Sequence, residues 1–195
     1  VRFVLVCLVW LLVAIAAGAS GATSKLRPPT PQLVILALTA ALVIAGRAIG
    51  TFRRWLSRLD WRVVVSVHLT RFVGFAFLWL YARGELPYAF AVPGGVGDVL
   101  VAALALGLLV FSNAVAQRPQ LLLAWNLLGL ADILFVVLTA ARLALADPQS
   151  MAALLRFPLS LVPTFLVPLI IASHVLLFVR LRGRERGAVY EVPPA

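Results

Sequence analysis

The stretch VSVHLTRFVGFAFLWLY, residues 65–81, decides the fold. It is apolar almost throughout, and with its neighbours the run 63–82 reaches the about 20 residues that a helix needs to cross a bilayer. Two ionisable residues, His68 and Arg71, lie inside it. Such a group costs roughly 2.5 kcal/mol or more in hydrocarbon, so it is expected to face a partner or a cavity. On an ideal helix the two are about 60° apart, with Phe72, Phe75 and Trp79 on much the same face. That face is expected to point inward.

Working outward, five more segments approach or meet the same length. The six run over residues 1–19, 32–50, 63–82, 98–116, 121–143 and 158–181. Of 195 residues 63% are hydrophobic and 12% charged, and the mean hydropathy is +1.06, far from the balance of a soluble domain. The connectors, among them SGATSKLRPPTP and QRPQ, are short and carry turn formers. The sequence therefore predicts an all-α integral membrane protein: one bundle of about six transmembrane helices over 1–181, then a short disordered cytoplasmic tail over 182–195. Cys7 is the only cysteine, which excludes an intrachain disulfide and a thiolate zinc site. A metal would have to use histidine or oxygen ligands.

The net charge of +10 comes from 17 basic residues, of which only Lys25 is a lysine. Eleven lie at one side, from Arg2 and Arg47 through the 53–62 cluster to Arg118 and the 180–186 run. Five lie at the other: Lys25, Arg27, Arg83, Arg142 and Arg156. Positive charge favours the cytoplasmic side, so both termini are expected there. Arginine and alanine richness suggests a bacterial inner membrane, with Val1 read from a GTG start. The first segment also resembles a signal peptide cleaved near GATS, which would leave five spans. TFRRWLSRLDWR, residues 51–62, is read as a positive-inside loop with tryptophan anchors in preference to an interfacial helix. The arginines distribute to membrane edges, so the lipid bilayer and not nucleic acid is the expected partner.

The fifth segment carries Asn126, Gly129 and Asp132 at every third position, and the glycine would admit a neighbouring helix. The sixth carries Pro158, Pro163 and Pro168, which free backbone carbonyls for other partners, and then His174. Counted from the cytoplasmic ends, His68, Asn126 and His174 lie about 8–10 Å deep, while Arg71 and Asp132 lie near the midplane as a candidate ion pair. An inward polar cluster of His68, Arg71, Asn126, Asp132 and His174 is the expected site.

Asp98 follows Pro93, Gly94, Gly95 and Gly97, so it is read as the N-cap of the fourth helix after a turn. The glycines could instead form a re-entrant segment lining an outer vestibule with Glu85 and Tyr88. Gly95-Val96-Gly97-Asp98 also resembles the GxGD motif of the intramembrane aspartyl proteases, the presenilin, signal-peptide-peptidase and prepilin-peptidase group. The resemblance covers four residues and implies a second catalytic aspartate. In that family it precedes the motif, whereas Asp132 follows it, and the two aspartates here are expected at different depths.

Several functions share these parts. Proline-broken helices, a midplane Arg and Asp, and titratable histidines suit small-solute or proton-linked transport, in a chain small enough to work as a homodimer or beside a membrane partner subunit. His68 and His174 at one depth could alternatively ligate a b-type haem or serve a quinone-binding redox protein. A non-catalytic membrane subunit would use the polar residues only for helix packing. No GxxxxGK[ST], HExxH or GxSxG occurs, which argues against ATP-driven, zinc-protease and serine-hydrolase chemistry.

Overall fold

The computed structural model describes the backbone of residues 2–190 and the side chains of 2–183; Val1 and residues 191–195 lie outside the described residues. The described chain is all-helical, with six helices long and apolar enough to cross a membrane. The first two are α1 (Arg2–Ala19) and α2 (Thr30–Ala48). A short α3 (Gly50–Arg58) follows, and then a third long rod made of α4 (Trp61–Ser66), a 3-10 segment (Val67–Val73) and α5 (Gly74–Ala82). Next come α6 (Tyr88–Val110), short α7 (Ser112–Ala116) and α8 (Pro119–Ala146). A 3-10 segment (Pro148–Leu155) leads to a π-helical turn (Val162–Leu166) that runs into α9 (Val167–Tyr190).

The buried stripe of α6 repeats at three and four residues, Phe90, Gly94, Val101 and Ala105 among it, and seats that helix between α5 and α8. The third rod follows a different rule. Val65, His68, Arg71, Gly74, Phe77 and Leu80 are all buried, a repeat of three without drift. An α-helix would rotate such a row by about 60° per step, but a 3-10 helix has three residues per turn and stacks i over i+3. The 3-10 segment thus keeps His68, Arg71 and Gly74 in one line. It also corrects the expected inward face: Phe72 is half-buried, and Phe75 and Trp79, 57% and 58% exposed, point away from the bundle.

The fourth span is corrected more strongly. It starts at Tyr88, ten residues before the expected 98, and Pro93 lies inside it. The glycines that resemble a turn are instead a helix crossing. A Cβ on Gly74 would strike the Gly95 carbonyl, and one on Gly95 would lie 2.8 Å from the Gly74 carbonyl. There is no re-entrant loop here, and Asp98 is a buried residue of the helix interior, not an N-cap at an outer mouth. Glu85 pairs with Arg83 at 2.9 Å in the preceding turn.

Two edges also differ from expectation. Residues 50–58 are helical, with Phe52, Trp55 and Leu56 half-buried on one face and Arg53, Arg54 and Arg58 exposed on the other, because the apolar residues recur at helical spacing. The last helix continues to Tyr190, so the tail expected from 182 begins as helix.

Helix α1 buries only Ala14 and Gly18. Its Trp10 Nε1 donates to the Thr164 carbonyl at 3.0 Å. Pro168, four residues after Thr164, has no N–H to give that oxygen, so the proline provides the docking point.

Candidate functional site

Arg71 stands on the 3-10 row at 1% exposure and reaches two other helices. Its Nε donates to Asp98 Oδ1 of α6 at 2.7 Å, its Nη1 to the Gly129 carbonyl of α8 at 3.0 Å, and its Nη2 to Asp132 Oδ2 of α8. The expected Arg71–Asp132 pair is present, and Asp98 joins it. The two aspartates therefore meet at one guanidinium instead of lying at separate depths. Gly97 makes room for this, since a Cβ there would fall on the Asp132 carboxylate. In a proteolytic aspartate dyad the carboxyls share a proton and a water between them; here Arg71 takes that place.

His68 and His174 are wholly buried beside this cluster. Ser173 Oγ donates to the Ile170 carbonyl at 2.7 Å, so its 3.0 Å contact with His68 Nε2 is one in which the imidazole N–H donates. Asn126 donates through Nδ2 to the His174 carbonyl at 3.1 Å, which turns its Oδ1 to accept from His174 Nδ1 at 2.9 Å. This leaves His68 Nδ1 and His174 Nε2 as lone pairs with no hydrogen-bond partner among the described residues. The rings touch each other, centroids 4.3 Å apart, and Trp125 packs on both at 4.8 and 5.6 Å. A haem held by two axial imidazoles lies between them. Rings already in contact leave no width for a porphyrin, so the pair does not fit that cofactor. Among the described residues no group of three His, Cys, Asp or Glu is placed to hold a metal ion.

Gly129 joins the two halves. Its carbonyl takes Arg71, and its missing side chain is where His174 lies, for a Cβ would be 2.6 Å from His174 Cε1. All six residues expected from the sequence thus belong to one assembly.

Two cavities approach it from the end of the bundle that carries the α1–α2 connection. The larger, about 300 Å³, has Arg27, Arg156 and Gln149 among its wall residues and Ile35, Ala140 and Met151 as apolar wall. The smaller, about 50 Å³, has an apolar surface and Arg71 and Asp98 among the residues around it. Ile35, Val137, Ala140, Leu154 and Pro163 line both, so the cavities share a wall.

The family model described as Domain of unknown function (DUF8737) matches residues 28–182. The chain belongs to this family. No curated protein and no solved structure matches it. The matched DUF8737 region runs from the α1–α2 connection to the last helix, so it contains every residue of the assembly, while α1 lies outside it.

Ser173, Trp125 and Gly97 belong to the assembly and were not picked out as site residues from the sequence. Ser173 adjoins His174 in an otherwise apolar run and could have been noted as a polar pair. Gly97 is marked only as part of the glycine run and the GxGD resemblance, and Trp125 carries no such mark.

Proposed function

We propose that this chain is a multipass protein of a bacterial inner membrane, with both ends cytoplasmic, that moves a small solute in a proton-linked manner. The observation that carries this reading is the pair of cavities with a common wall, the outer one open near the α1–α2 connection and the inner one bordered by Arg71 and Asp98. A cavity that borders a buried charged cluster is the default place to look for a solute. Arg27 and Arg156 line the larger cavity and no carboxylate does, so the solute it suits is a small anion. Such an anion would compete with Asp98 for Arg71. Pro163 borders both cavities and lies in the π-helical turn, where an irregular backbone offers a hinge. His68 and His174 are the proton carriers of this scheme.

The test is flux in proteoliposomes of purified protein loaded with a pH-sensitive dye and challenged with a panel of short organic anions. Uptake of one of them with coupled proton movement, lost in Asp98→Asn while the variant still elutes as a single species, supports the reading. Sealed, protein-bearing vesicles that pass neither protons nor any member of the panel would leave a packing-only membrane subunit in its place.

A further inference from the structure

Asp132 is the one charged residue of the assembly that is not sealed. Its side chain is 15% exposed against 4% for Asp98. Oδ2 is held by Arg71, but Oδ1 makes no hydrogen bond among the described residues. It lies in the notch that Gly97 leaves, on a face where Val96 and Leu100 of α6 and Leu128 and Phe135 of α8 are exposed. Asp132 is also midway along α8, about 20 Å from either end at 1.5 Å per residue. The Asp132 carboxylate is therefore only partly closed off, between two helices near the middle of α8.

The charges explain why an opening matters. One guanidinium faces two carboxylates, a formal −1 in a region of low polarity, where an unbalanced charge is expensive. The titratable groups packed around it are Asp98 from α6, His174 from α9 across Gly129, and His68 one turn along the same rod as Arg71. Two of these carry fully buried nitrogens, His174 Nε2 and His68 Nδ1, with no hydrogen-bond partner among the described residues. The assembly is short of one positive charge and holds two imidazole nitrogens with no hydrogen-bond partner among the described residues.

We propose that the Arg71 cluster holds one exchangeable proton, and that Asp132 is the carboxyl at which it is loaded and released, through the slot between α6 and α8. Asp98 is the fixed partner of Arg71 and Asp132 the exchanging one, so the solute cavity and the proton slot approach the same guanidinium from different sides. The proposal rests on the proton-linked reading above, but its test uses no flux.

Dicyclohexylcarbodiimide, an apolar reagent that partitions into lipid, reacts with a protonated carboxyl. The acid proton passes to a carbodiimide nitrogen, the carboxylate oxygen bonds to the central carbon, and the O-acylisourea rearranges to a stable N-acylurea. The full chain in proteoliposomes is treated at several pH values and its peptides are mapped by mass spectrometry. The expected result is one adduct, on Asp132, which declines as pH rises, is absent in Asp132→Asn and persists in Asp98→Asn. Wild-type mapping alone decides the matter should a variant fail to fold. No adduct on Asp132, or equal labelling of Asp98, overturns the proposal. Flux without the adduct would sink this inference and spare the transport reading; the adduct without flux would do the reverse.

Discussion

Arg71 is the residue on which the buried charges depend. Replacing it with leucine strands two carboxylates, and removal of one member of a buried ionic group costs about 3–5 kcal/mol. Arg71→Leu is therefore expected to lose most of its thermal stability in detergent. Arg71→Leu combined with Asp98→Asn and Asp132→Asn is expected to recover the larger part, because no unpaired charge remains. A triple variant as unstable as the single one would show that the guanidinium matters for its contact with the Gly129 carbonyl and not for its charge. At this scale the sequence was partly legible. The Arg71–Asp132 pair follows from counting residues inward from two helix ends. Asp98 does not, because proline and three glycines before an acid have the composition of a capped turn, and only packing shows that those glycines serve a helix crossing.

The third rod carries the lesson at the scale of elements. Existence and length are legible, since an apolar run of about 20 residues leaves little choice. Its inner face is not, because assigning a face means assuming 3.6 residues per turn, and the Val67–Val73 segment winds at three. The two windings make opposite predictions. With the 3-10 phase, Phe77→Ala opens a cavity against Phe90, 5.2 Å away between ring centroids, and is expected to cost about 2 kcal/mol or more. Trp79→Leu, on the exposed side, is expected to stay within about 0.5 kcal/mol. Paired unfolding curves in one detergent check this, and the reverse order would restore the uniform α phase. The short α3 was misjudged for a related reason: arginines among aromatics suit a loop and a helix equally, and only the spacing of Phe52, Trp55 and Leu56 separates them.

For the whole molecule, the number of long apolar helices is legible from composition, while their sidedness rests on the arginine count alone. Ser57 and Gln149, both exposed, lie at opposite ends of the bundle. In a Cys7→Ser background, Gln149→Cys is expected to react with a membrane-impermeant maleimide in intact cells, and Ser57→Cys only after the membrane is opened. The opposite pattern would invert the orientation and place the larger cavity on the cytoplasmic side.

One backbone position ties these scales together. Gly129 gives its carbonyl to Arg71 and its missing side chain to His174, so the charge cluster and the imidazole pair meet at the same residue of α8. Linkage then works in both directions with a single free energy: whatever a proton near Asp132 does to the affinity of the imidazoles for theirs, a proton on the imidazoles does equally to Asp132. A Gly129→Ala exchange would be felt in both clusters at once.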